Sequence, residues 1–202
     1  MMNILIPCKR AIDYNVNVTV KADESGVEDN VKMSLNPFDE IALEEAIRLK
    51  EKGHIEQIKV LSIGPQGCQE VLRHGLAMGA DEGIWIETNA QHDPLNIAKT
   101  LKWAVDHYTI QSVLMGKLSI DGDHSQTGPM LAALLGWSLA TAASKINMKD
   151  DEIEVTSEVD HGLATFCLKK PAVITVDLRL NEPRYIALPN LIKAKQKTIH
   201  HH

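Results

Sequence analysis

The sequence predicts an α/β fold, a doubly wound and mostly parallel sheet with a β-rich C-terminal part. Three observations carry that prediction. Short apolar runs alternate with stretches of helical period over the first two-thirds of the chain, which implies parallel strands covered on both faces. Glycine or proline punctuates most of the changeovers. The 202 residues, 44% hydrophobic and 24% charged, suit one domain of ordinary size with a buried core.

Residues 3–8 read as a buried strand around Ile4-Leu5-Ile6. Residues 15–21 alternate through Val16, Val18 and Val20, predicting a half-exposed strand. Turn residues 23–26 lead to a short return strand over 31–35. Asn36 and Pro37 then open a helix as N-cap and first helical residue, with Asp39 and Glu40 favouring its positive end and Gly53 stopping it. Residues 58–63 form a second core strand, broken by Gly64-Pro65. Helix 69–78 ends at Gly79, strand 83–87 follows, and helix 95–108 carries Ile97, Leu101, Ala104 and Val105 on one face. Strand 112–115 runs into Gly116, and helix 127–135 comes next. Strands are predicted over 152–159, 163–168 and 172–177, with a hairpin turn at His161-Gly162. Past Asp177 the chain makes an excursion over about 177–197, ending in a short helix from Pro189. The domain is expected to span 1–199, with His200 to His202 set aside as a tag remnant.

Composition narrows the function. A net charge of −6 argues against a broad nucleic-acid footprint. Cys8, Cys68 and Cys167 are odd in number and far apart, which fits a reducing compartment rather than a disulfide framework. No apolar run approaches the roughly 20 residues that cross a bilayer, so no membrane insertion is expected. No targeting segment precedes Ile4, which favours a bacterial cytoplasm over the mitochondrial matrix. The histidines at 54, 74, 92, 107, 124 and 161 lack zinc-type spacing, and no Ser-His-Asp or Cys-His arrangement emerges. No metal and no independent catalysis are expected.

The most informative stretch runs from Gly116 through Lys117, Leu118, Ser119, Ile120, Asp121, Gly122, Asp123, His124, Ser125, Gln126 and Thr127 to Gly128. A buried strand ends here and a helix begins. In an open parallel sheet ligands bind beyond the carboxyl ends of strands, and a helix N-terminus there suits a phosphate. It is neither a Walker loop nor G-x-G-x-x-G, and a plain strand-to-helix loop capped by Ser125 fits the pattern equally well. Pro7 and Cys8 after the first strand, Ile63 after the second, and Asn36, Pro37, Phe38 and Asp39 could wall an adenosine pocket. Asp121 or Asp123 would take the ribose hydroxyls. In the excursion, Leu188 reads as an exposed apolar anchor among Arg184, Tyr185, Lys193 and Lys195, whose charges could steer an acidic partner. A helix packed back on its own domain fits that pattern equally.

Several segments together resemble the electron transfer flavoprotein β subunit. They are Pro7 to Arg10 with Asp13, Asn36 to Glu40, Leu76 to Asp81, Gly116-Lys117, Asp121 to Gly128, and Asp177 to Tyr185. The resemblance implies an adenine nucleotide α-hydrolase-like fold and an αβ heterodimer whose α subunit holds FAD. It implies a structural AMP in this chain, wrapped by 116–127 with phosphate on Ser125, Gln126 and Thr127. It also implies that the arm around Leu188 docks acyl-CoA and related dehydrogenases, with electrons passing on to a membrane quinone oxidoreductase.

Two departures bear on these expectations. The loop reads Asp-Gly-Asp-His-Ser-Gln-Thr-Gly-Pro, and its Asp-Gly-Asp and Gly-Pro elements lean towards bifurcating relatives, in which a second FAD replaces AMP. The family pattern also continues into a C-terminal arm embracing the α subunit. The chain stops short of it, so weakened FAD retention and α-subunit binding are expected. A nucleotide-binding module of the universal stress type shares the fold but would lack the excursion after Asp177.

Overall fold

The computed structural model describes residues 2–28 and 31–202. Its centre is a nine-stranded sheet. Strand β1 (Met2–Pro7) lies between β4 (Ile55–Gly64) and β6 (Ser112–Gly116). Beyond β4 come β5 (Glu82–Glu87) and the edge strand β11 (Ile199–His201). Beyond β6 come β10 (Ala172–Val176), β7 (Ser138–Met148), β8 (Glu152–Val159) and β9 (Gly162–Lys169). Every pairing from β11 to β7 is parallel, and β8 and β9 add an antiparallel hairpin. A separate two-stranded ribbon joins β2 (Arg10–Ile12) to β3 (Met33–Leu35).

Alternation along the central strand divides the core into two layers. Ile4 and Ile6 of β1 face α1 (Pro37–Glu51) and α2 (Cys68–Met78), while Leu5 faces α3 (Pro94–His107) and α4 (Thr127–Leu135). All three are essentially inaccessible to water, as expected of a strand covered on both sides. Gly116 marks how tightly the first layer closes. A Cβ there would stand 2.5 Å from Asp39 Oδ1 and 2.6 Å from Phe38 Cβ, so only glycine lets α1 approach the end of β6.

The α/β class and the mostly parallel sheet are as predicted, and four elements differ in detail. Residues 15–21 form no strand beyond an isolated bridge between Val20 and Val27. Val18 and Val20 stay exposed, and the return strand pairs with β2, whose Ala11 is fully buried. β7 was not anticipated, because Ala140, Ala142 and Ala143 give it little of the bulk that marks a strand. Asn36 precedes α1, but its side chain makes no cap. His200 and His201, set aside with His202 as a tag remnant, lie in the edge strand: β11 pairs with β5, His201 stacks on Trp85 at 4.3 Å, and His202 N donates to Trp85 O.

Candidate functional site

Chain order reverses at β1, since β4 lies on one side and β6 on the other. The carboxyl ends of β1 and β6 therefore form the switch point where open α/β sheets bind ligands. One carboxylate ties these ends together. Asp39, in the first turn of α1, accepts from Lys9 N through Oδ2 (2.9 Å) and from Gly116 N through Oδ1 (3.0 Å). It is buried, and burial pushes its carboxyl up to about 7 against the pull of those donors.

Asn36 extends the clamp to the loop after β6. Its Nδ2 donates to Leu118 O (2.9 Å), its Oδ1 accepts from Ile120 N (3.2 Å), and its backbone N donates to Lys9 O (2.9 Å). Lys9 Nζ then reaches Ser119 Oγ (3.1 Å) and Asp121 Oδ1 (2.6 Å). Lys117 turns the other way, to Asp177 Oδ2 at 2.6 Å and over the Phe38 ring at 5.5 Å. Burial pushes the Asp177 carboxyl up, but bonds from Lys117 and Arg179 outweigh it and hold the group at about 2.

These contacts bring most of the sequence-predicted residues onto one rim. Pro7 ends β1, and Cys8 N donates to Leu61 O (2.7 Å). The Cys8 thiol is buried, which with the nearby Asp39 and Glu40 carboxyls pushes it well up and leaves it unreactive. Pro37 opens α1, Phe38 is buried, and Ile63 stands half-buried near the end of β4. Gly122 N and Asp123 N both donate to Ser119 O, folding the loop back on itself. Asp123 and Ser125 adopt left-handed backbone at φ 50° and 53°, a conformation that costs energy outside glycine and is found at ligand clamps. His124, Ser125 and Gln126 are exposed, and Thr127 starts α4 with no side chain capping it. Two clefts of about 530 and 380 Å³ open elsewhere, and neither is lined by residues 116–127.

Sequence reasoning missed the roles of Lys9, Asn36 and Asp39. Asp39 and Asn36 have the composition of a helix start, and only their burial betrays another use. Of the two carboxylates offered for a ribose, Asp121 is engaged by Lys9 and Asp123 is exposed.

The excursion after β10 is strapped to the helices of one layer. Asn181 Nδ2 donates to Ile41 O and Glu45 Oε2, both at 3.1 Å, and Arg48 donates to Glu182 O at 2.7 Å. Arg184, expected to face a partner, instead binds Glu44 at 2.8 Å and Glu51 at 2.6 Å on α1. The short helix α5 (Leu188–Ala194) buries Ala194, and Arg73 of α2 donates to the carbonyls of Ala194 and Lys197, each at 2.7 Å. Lys197 caps the end of α2 through Leu76 O and Ala80 O. What remains outward is apolar and basic: Tyr185 is 94% exposed, Leu188 69% and Ile192 58%, with Lys193 and Lys195 beside them.

The family model described as an electron transfer flavoprotein domain matches residues 26–202. The electron transfer flavoprotein subunit beta of Bradyrhizobium diazoefficiens is 56% identical over 199 residues, covering 98% of this chain and 80% of the relative. This chain belongs to the electron transfer flavoprotein β-subunit family. The mitochondrial subunit beta of Arabidopsis thaliana is 54% identical and the human subunit beta 48%, with the same 98% and 80% coverage. The chain thus spans about four-fifths of the length of these relatives. Membership in the electron transfer flavoprotein family places it in electron transport. Among the described residues no helix is long and apolar enough to cross a membrane.

Asp39 makes the clamp sensitive to pH. Its folded value of about 7 lies above an unfolded value of about 4, so the folded state holds the extra proton. Its contribution is full below about pH 4 and is lost as pH rises through 7. Asp39→Asn should therefore flatten the fall in urea midpoint between pH 4 and 7 relative to the parent chain. Parallel pH profiles of the two proteins would contradict the assignment.

Proposed function

We propose that this chain is the AMP-binding β subunit of a heterodimeric electron transfer flavoprotein. In this reading the phosphate sits at the head of α4, on Ser125, Gln126 and Thr127, and the adenosine lies along Pro7, Cys8, Ile63 and the Asn36–Asp39 turn. The observation that carries it is an α4 N-terminus without a side-chain cap, set at the switch point behind a left-handed Ser125. Uncapped first-turn amides and the positive helix end together favour an anion. AMP would contribute structure rather than chemistry, and the chain itself carries no catalytic step.

The FAD of the complex would be held mainly by the α subunit, which this chain supports. The arm at Leu188 would dock acyl-CoA and related dehydrogenases, and electrons would leave for a quinone oxidoreductase. An exposed leucine flanked by lysines fits such a surface, since an apolar anchor supplies affinity and the charges steer encounter. The compartment that suits this role is the bacterial cytoplasm. The Asp121-Gly122-Asp123 and Gly128-Pro129 elements favour a second reading, in which FAD replaces AMP.

Denaturing the purified protein and analysing the supernatant by mass spectrometry should release about one AMP per chain. FAD alone would establish the second reading, and no nucleotide would overturn both. Leu188→Ala, assembled with an α subunit, should slow electron transfer from a partner dehydrogenase by about tenfold, the size of a hot-spot loss, with nucleotide content unchanged. An unaltered rate would remove Leu188 from the docking role.

A further inference from the structure

Gly128 is the pivot of the α4 head. Pro129 has no N–H, and Met130 N donates to Gln126 O inside the helix. The first turn therefore leaves the amides of Thr127 and Gly128 without an intrahelical partner. Where the Gly128 backbone stands decides where those two donors point.

One side chain sets that position. A Cβ on Gly128 would meet the Thr175 methyl, Cγ2, at 2.4 Å, with Met115 Sδ next at 3.5 Å. The helix rests on that methyl as only a glycine can. Thr175 lies in β10, is 2% exposed, and shares a face of the strand with Val173.

The methyl is itself held in place. β10 and β7 pair out of step here: Ile174 stands against Ala140 and Val176 against Ala143, so Thr141 and Ala142 face Thr175 alone. Ala142 turns left-handed, at φ 53°, and its amide donates to Thr175 Oγ1 at 3.0 Å. A left-handed alanine costs energy and persists where its surroundings over-determine it. The threonine hydroxyl and methyl share one Cβ with few rotamers, so bonding the first aims the second.

We propose that Thr175 is a positioning residue for the phosphate site. The β7 bulge fixes its hydroxyl, and its methyl sets the height at which α4 presents the Thr127 and Gly128 amides. This role rests on the assignment of the phosphate to the head of α4. Thr175 itself stays buried beneath the helix and acts through Gly128.

The test is AMP affinity of the folded full chain, read from backbone amide shifts of ¹⁵N-labelled protein, beside the urea midpoint of each variant. Gly128→Ala drives a Cβ into the methyl, although alanine is otherwise the better helix residue, and should weaken AMP binding about tenfold. Adding Thr175→Ser removes the methyl and should restore most of that loss. Thr175→Val keeps a methyl but leaves the Ala142 amide without its acceptor. It serves if Gly128→Ala fails to fold, and should weaken AMP binding about threefold. Val173→Ala, one pleat away on β10, should lower the urea midpoint and leave AMP affinity unchanged. A parent chain that fails to saturate with AMP would remove the α4 assignment and this role with it. A parent that saturates would overturn the role of Thr175 alone if Gly128→Ala binds AMP as tightly, if Thr175→Ser brings no recovery, or if Val173→Ala loses as much affinity.

Discussion

The Asp39 carboxylate, buried between Lys9 N and Gly116 N, holds the ends of β1 and β6 at a fixed separation. Neither strand end can satisfy its own amide there, because the chain leaves the sheet at both points. A carboxylate with two oxygens serves both donors at once. A carboxamide would turn an N–H towards one of them. Burial opposes the charge while the two amides favour it, and the competition sets the group near neutrality.

Helix α1 makes this junction matter beyond itself. Its first turn contributes Asp39, and the preceding Asn36 pins the loop after β6 through Leu118 and Ile120. Its flank contributes Glu44, Glu45 and Glu51, which hold the excursion through Arg184 and Asn181. The loop after β6 and the excursion after β10 are therefore anchored on one helix, the first at its opening turn and the second along its flank. Glu44 is 1% exposed and meets two arginines, Arg48 and Arg184. Removing either would leave much of a buried charge uncompensated, so the pairing fixes geometry more than it adds net stability.

Much of this was legible in the chain itself, for physical reasons that also mark the limits. α2 and α3 announce themselves by apolar residues at helical spacing, and Gly79 and Pro94 mark their bounds. The loop from Gly116 to Gly128 stands out because glycines and polar residues separate a buried strand from a helix. β7 is hidden because its inward residues include Ala140 and Ala143, and small residues carry little periodic signal. Asn36, Asp39 and Arg184 were recognisable as polar residues at sensitive places, but their side-chain partners lie 30 to 140 residues away. No local pattern encodes such a pairing. Lys9 likewise reads as a solvated charge until the fold brings Asp121 to it.

The central claim is that the head of α4, held beside the β1–β6 junction, receives an adenylate phosphate. Titrating AMP into the ¹⁵N-labelled chain and following backbone amides tests it most directly. Saturable shifts should concentrate at residues 125–128 and pass through Asp39 to the amides of Lys9 and Gly116. Shifts gathered instead around Gln111 and Trp137, in the cleft at the opposite ends of the strands, or no saturation at all, would contradict it.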